Sequence, residues 1–290
     1  MSRQAKAVKQ LRELINSDKF IIMPCCYDGL SARLISQSGF EVTFMSGFGV
    51  SAVRLGLPDT GLISYGEMVD QAQNICNVSD IPVICDGDTG YGNPVNIKRT
   101  VHGYIRAGAS GIMIEDQISP KRCGHTKGKD VVDRETAFTR IKAAVEARNE
   151  AGKNDEDIVI VARTDARATT GLDEALFRAE TFRNMGADII FIEAPRSKKE
   201  MTKIGKLGGC QMANMVEHGV TPVLPPKELE SMGYRIAAYP LTLLSATACA
   251  MKKALARLKN GEITDEILEF KELQSILGFP EYDKTLKRLS

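Results

Sequence analysis

The sequence predicts an α/β fold, a (β/α)8 TIM-type barrel with a helical C-terminal extension. Eight short apolar runs alternate with helical stretches over about 240 residues, the length such a barrel needs. Most runs are continuous apolar blocks rather than alternating ones, as strands buried on both faces of a parallel sheet must be. No Gly-x-Gly-x-x-Gly turn follows the first run, which counts against the doubly wound open sheet that shares the same rhythm.

The elements follow in order. The opening MSRQAKAVKQLRELI is amphipathic, with Leu11, Leu14 and Ile15 on one helical face. It lacks the apolar core of a secretory signal, and its Arg and Lys leave an organelle-targeting reading open. The strand candidates are FIIMPCC (20–26), VTFMSG (42–47), IPVICDGD (81–88), GIMIEDQ (111–117), IVIVARTD (158–165), DIIFIEAP (188–195), CQMANM (210–215) and RIAAYP (235–240). Between them, GLSARLISQSG ends at Gly39, a helix C-terminal position. Ser64 with Glu67 has capping-box spacing ahead of a helix. Asn93 before Pro94 is an N-cap followed by proline at the first helical position. DRETAFTRIKAAVEARNEAG and LDEALFRAETFRNMGA keep apolar residues at three- and four-residue spacing. No linker or charge block divides the chain, so one domain is expected over 1–290. Residues 242–290 form a helical extension that packs on its own barrel or on a neighbouring subunit.

Composition narrows the function. A net charge of +1 over 290 residues gives no electrostatic case for nucleic acid or an acidic membrane. No apolar stretch approaches the roughly 20 residues of a membrane span. The seven cysteines are scattered with no CxxC, which reads as reduced thiols in a cytoplasm. Cys85 reads as a small core hydrophobe.

A barrel of this type carries its active site at the C-terminal ends of the strands. Read in order, the run ends supply Tyr27 and Asp28, Ser46 and Gly47, Asp86 and Asp88, Glu115 and Asp116, Arg163 and Asp165, Glu193, Asn214, and Tyr239. The acid excess argues for a cation. Asp86 and Asp88 are two apart, so on an extended strand end both carboxylates face one way. Such a pair repels unless a proton or cation intervenes, and all-oxygen ligands suit Mg²⁺, with Mn²⁺ as an alternative. A solvated Asp-Gly turn is the competing reading. Glu115 and Asp59 are further candidates acting through water. MSGFGVSA (45–52) is either an anion nest around Ser46, Gly47 and Phe48 or a flexible turn. Arg163 on a buried strand either pairs with Glu193 or clamps a substrate carboxylate.

The loop SPKRCGHTKGKD (119–130) follows the fourth run. Zinc is disfavoured, because Cys123 and His125 have no second pair at zinc spacing. A thiol flanked by Lys121, Arg122 and His125 is expected to have a depressed pKa and to serve proton transfer. An incidental cysteine on a basic surface loop is the alternative.

KRCGH resembles the signature of the isocitrate lyase and phosphoenolpyruvate mutase superfamily. MSGFGVSA, GLPDTG, CDGDTGYG, IEDQ, ARTDA, FIEAP and ANMVEHGVTP match in the same order, over roughly residues 5–290. The resemblance implies Mg²⁺ dependence, a small carboxylic acid substrate, and a homotetramer exchanging its eighth helix between subunits. It implies Asp86 and Asp88 near the metal, with Asp59 and Glu115 outside them. It assigns Tyr27, Ser46, Gly47, Phe48, Lys121, His125, Arg163, Glu193 and Asn214 to substrate binding, and Cys123 to a catalytic acid on a gating loop. The glycines at 124 and 128 would permit that loop's motion. Phosphonomutases carry asparagine where this chain has Cys123, so carbon–carbon cleavage is expected. Thr126 and Lys127 replace an Arg-Pro associated with tricarboxylate-cleaving members, which favours a dicarboxylate unless Lys127 substitutes. The expected reaction cleaves 2,3-dimethylmalate to pyruvate and propionate. Methylisocitrate cleavage and oxaloacetate hydrolysis or decarboxylation are the alternatives.

Overall fold

The computed structural model describes every residue except Met1, Lys127, Asp155 and Glu156, and the backbone alone of Asn154. Eight parallel strands close into a barrel in sequence order. They are β1 (Ile21–Cys26), β2 (Thr43–Met45), β3 (Val83–Asp86), β4 (Gly111–Glu115), β5 (Val159–Thr164), β6 (Ile189–Ile192), β7 (Cys210–Asn214) and β8 (Ile236–Tyr239). β8 returns to β1 with Ile21 opposite Ile236, which leaves no sheet edge. Every expected run forms a strand, because each is apolar enough to be buried on both faces.

The helices begin where capping chemistry puts them. Ser64 accepts from Glu67 N–H and Glu67 reaches back to Ser64 N–H at 2.8 Å, closing the expected box before Tyr65–Val78. Asn93 caps Pro94–Arg106, and Asn96 answers it. A third box, Asp28 with Ser31, starts Gly29–Gln37. Gly39 follows that helix at φ +80°, a conformation glycine adopts without strain.

The amphipathic opening is the helix Arg3–Asn16, with Val8, Leu11 and Ile15 buried. Leu11 and Ile15 share a core cluster with Met23, Phe44, Ile84, Met113, Val161 and Phe191, so this helix plugs the N-terminal mouth of the barrel. Arg12 pins it there, bonding Asp157 Oδ1 at 2.8 Å and Asp188 Oδ1 at 3.0 Å. The opposite mouth is left for the site.

The chain divides into two compact units, Met1–Thr242 and Leu243–Ser290. The second contains most of the helix Thr242–Lys259, followed by Phe270–Leu277 and Phe279–Leu289. Among the described residues no helix is long and apolar enough to cross a membrane.

Candidate active site

Alternate residues of a strand point the same way, and here that rule builds the site in two layers. Phe44, Met113, Phe191, Met212 and Ala238 face inward as an apolar floor. Two residues further along the same strands stand Ser46, Glu115, Glu193, Asn214 and Pro240. Together with Asp59, Asp86, Arg163 and the loop residues Lys121–His125, they enclose a cavity of about 60 Å³. The centres of several waters, or a small acid, fit inside it.

One wall is acidic. Asp86 ends β3 and accepts from Gly47 N–H at 3.2 Å and from Asp88 N–H at 3.0 Å. Burial, and then the neighbouring Asp88, push the Asp86 carboxyl up to about 6. The two acids do not share an extended strand, as their spacing suggested. β3 stops at Asp86, and Asp88 turns into the left-handed region at φ 48°. This turn aims Asp88 at Lys121, whose Nζ lies 2.8 Å from Asp88 and 2.5 Å from Asp59. Burial opposes the Lys121 charge, but Asp88, Asp86, Asp59 and Glu115 together hold its pKa well up. Tyr91 O–H donates to the other Asp88 oxygen at 3.1 Å.

This wall suits a hard cation. Glu115 Oε1 is buried without a hydrogen-bond partner, and burial pushes that carboxyl well above its usual range. Among the described residues, no three acids, histidines or cysteines close into a metal cage. Mg²⁺ needs no such cage, since it keeps several waters and takes one or two carboxylates. The donor set is all oxygen, and Asp59, Asp86 and Glu115 line the cavity. It fits Mg²⁺.

A chain of ion pairs adjoins this wall. Arg163 does not give its fork to Glu193, which stands 3.9 Å away. The fork is filled by Asp165, at 2.8 Å from Nε and 3.1 Å from Nη2, a partner set by the i, i+2 geometry of the strand end. Glu115 lies 3.2 Å from the same Nε. Burial alone would raise Glu193, but Arg163 and His125 hold it below its usual range. His125 Nε2 sits 3.1 Å from Glu193 Oε1, while its Nδ1 accepts from Val220 N–H at 3.3 Å. That pattern places the ring proton on Nε2. Asn214 donates to the second Glu193 oxygen at 3.2 Å.

The Cys123 loop closes the top. It rises on a short antiparallel stem, with Ile118 N–H on Asp130 O at 2.9 Å and Val132 N–H on Asp116 O at 2.9 Å. Gln117 clasps Arg122 with both ends of its amide, at 2.9 Å each. The Cys123 pKa is raised, not depressed. Burial is the main cause, and the nearby cation Lys121 is already spent on Asp59 and Asp88. Gly124 is a close-packing residue here rather than a hinge, because a Cβ there would run into Glu193 and Arg163. Thr126 turns away from the cavity, and its N–H and hydroxyl both bond the Cys123 carbonyl, at 2.9 and 2.8 Å. The substitution expected of Lys127 lies outside the described residues.

Residues 11–259 match the family model described as phosphoenolpyruvate phosphomutase. The chain belongs to this family. Within its superfamily, shared with isocitrate lyase, it is a carbon–carbon lyase. It is 42% identical to the 2,3-dimethylmalate lyase of Eubacterium barkeri, over 93% of each chain. It is 39% identical to the probable 2-methylisocitrate lyase 2 of Corynebacterium glutamicum, over 95% of this chain and 89% of that one. Among solved structures, oxaloacetate acetylhydrolase in complex with 3,3-difluorooxalacetate superposes with a TM-score of 0.92 at 36% identity, covering 97% of this chain and 96% of that one. A phosphonopyruvate hydrolase complexed with oxalate and Mg²⁺ superposes at 0.85 and 27% identity, covering 99% of each.

In this superfamily lyase most of the predicted residues meet at the cavity: Ser46, Phe48, Asp59, Asp86, Glu115, Lys121, Cys123, His125, Arg163, Glu193 and Asn214 line it. Asp88 stands one step back, paired with Lys121. Tyr27 does not line the cavity; its ring backs onto Gly49, whose missing side chain makes the room. Ser46, Gly47 and Phe48 do not form an open nest. Gly47–Val50 is a helical turn capped by Ser46, and the Gly47 N–H is spent on Asp86. Sequence reasoning missed the floor residues, although their place two before each rim residue was a usable signal. It also missed the pairing of Arg163 with Asp165, for which the i, i+2 spacing was a usable signal, and that of Lys129 with Asp165, which no local pattern reveals.

Proposed function

We propose that the chain cleaves a 2-hydroxy dicarboxylate of the 2,3-dimethylmalate type into pyruvate and propionate. The lining of the cavity carries this reading. Beside its charged groups the cavity is lined by Phe48, Val216, Pro240 and Leu241, which suit methyl groups better than a third carboxylate. Thr126, which replaces an arginine of tricarboxylate-cleaving members, is committed to the Cys123 carbonyl.

Asp86 would hold Mg²⁺ or Mn²⁺, with Asp88, Asp59 and Glu115 around it. When bound, the cation supplies the Lewis acidity that lowers the pKa of a substrate hydroxyl. The C2–C3 bond breaks, and C2 becomes the keto carbon of pyruvate as a nearby base takes its hydroxyl proton. The bond's electron pair stays on C3, where Cys123 delivers a proton to give propionate. A thiol held up by burial remains protonated at neutral pH, as a proton donor must. Arg163 and His125 orient the carboxylates. Ser46, Glu193 and Asn214 shape the rim, and the loop excludes water.

Two further roles belong to this reading. The unit Leu243–Ser290 exposes Leu255, Leu258, Phe270 and Leu286 and buries none of its helical residues, which supports a homotetramer exchanging this segment. Scattered free thiols support a reducing cytoplasmic setting. Similarity to methylisocitrate lyase and oxaloacetate acetylhydrolase keeps those substrates as the second reading. A panel of 2,3-dimethylmalate, 2-methylisocitrate and oxaloacetate with Mg²⁺ separates them, reading pyruvate by a coupled dehydrogenase and oxalate directly. Preference for either of the last two would overturn the proposal.

A further inference from the structure

One buried cation lies outside every role assigned so far. The Lys129 side chain is 4% exposed, and its Nζ lies 2.7 Å from Asp165 Oδ1. The same ammonium also donates to the Gly124 carbonyl, next to Cys123. Asp165 is fully buried and carries Arg163 on both oxygens. It is itself fixed to the barrel, because its N–H donates to Asp116 Oδ1 at 2.9 Å. Asp116 is held in turn by Thr164 Oγ1 at 2.6 Å and Arg178 Nη1 at 3.0 Å.

We propose that Lys129 is a positioning residue that sets Cys123 and Arg163 together, by tying the Gly124 carbonyl of the loop to the Asp165 that orients Arg163. An ammonium suits this post. It has three donors and no acceptor, so one group serves a carboxylate and a carbonyl at once. The loop's other polar ties differ in kind. The stem and the Gln117 clasp fix its base, and Thr126 bonds only within the loop. Lys121 also ties the loop to the rim, at Asp59 and Asp88, and His125 lies against Glu193; neither reaches Asp165. Loss of Lys129 would leave Arg163 on Asp165 but uncouple the thiol from that anchor. Buried pairs that lose one partner are strongly disfavoured, so the closed loop would become a minor state.

The turnover arm of the test rests on the proposed function; the labelling arm does not. Lys129→Met keeps the length and removes the charge, and Lys129→Arg keeps the charge. Iodoacetamide labelling without substrate is quantified by mass spectrometry at Cys123, with Cys85 as a buried control in the same sample. Lys129→Met should raise Cys123 labelling about tenfold or more, leaving Cys85 unlabelled. Lys129→Arg should stay within about threefold of the parent. With a substrate in hand, Lys129→Met should lower kcat by about 100-fold and raise KM only a few-fold. Cys123 labelling unchanged in Lys129→Met, or labelling of Cys85 rising alongside it, would overturn the assignment. If no panel substrate turns over, the labelling result still decides the role of Lys129.

Discussion

Gly124→Ala adds one methyl group to the loop and nothing else. The backbone at Gly124 is not in the left-handed region, so alanine meets no conformational penalty there. Space is the whole effect. The new Cβ would lie 2.6 Å from Glu193 Cγ, where ordinary van der Waals contact begins at 3.4 Å, and would also press on Arg163 Nη2. Neither neighbour can yield. Glu193 is pinned by His125 and Asn214, and Arg163 by Asp165. The loop must therefore withdraw by roughly 1 Å. A displacement of that size in a proton donor costs about 100-fold in rate. We expect kcat/KM for pyruvate release to fall by about that factor, with little change in melting temperature, because the loop contributes little to the barrel core. A Gly124→Ala enzyme within about threefold of the parent would refute the reasoning, since it would mean the loop does not pack this way during turnover.

Cys123→Ser should lower kcat by about 100-fold or more while leaving KM nearly unchanged, because the hydroxyl is a far weaker acid than the thiol; full turnover would remove Cys123 from the mechanism. Asp86 has a folded pKa raised from 3.8 to about 6, so in the metal-free protein its stabilising contribution is full below pH 3.8 and lost as pH rises through 6. Mg²⁺ competes with that proton, so its shift of the melting temperature should grow between pH 5 and pH 7, read by scanning fluorimetry, and should vanish in Asp86→Asn. Leu255→Asp places a charge on an exposed apolar face of the C-terminal unit and should dissociate the proposed tetramer, read by light scattering on a sizing column.

Much of this enzyme was legible before its structure. Most strands are buried apolar blocks, helices such as Tyr65–Val78 and Pro94–Arg106 start at side-chain caps, and the rim residues follow the apolar stretch of their strands. Such signals are local. Repulsion between Asp86 and Asp88 points to a cation site on one extended strand, and that backbone route is wrong. A left-handed residue at 88 leaves little trace in an Asp-Gly-Asp string.

The sequence by itself therefore determined the barrel, the rim on which the chemistry stands, and the superfamily. Tertiary structure alone decided the partners and the charge states. Lys121 reaches Asp59 across 62 positions, and Lys129 reaches Asp165 across 36. The second of these fixes Asp165, the residue that holds Arg163. Burial raises the Cys123 thiol where its basic neighbours alone would have lowered it. The physical reason is common to both. Hydrogen-bond capping and strand alternation act between residues a few positions apart, whereas desolvation and ion pairing depend on what the closed barrel brings together.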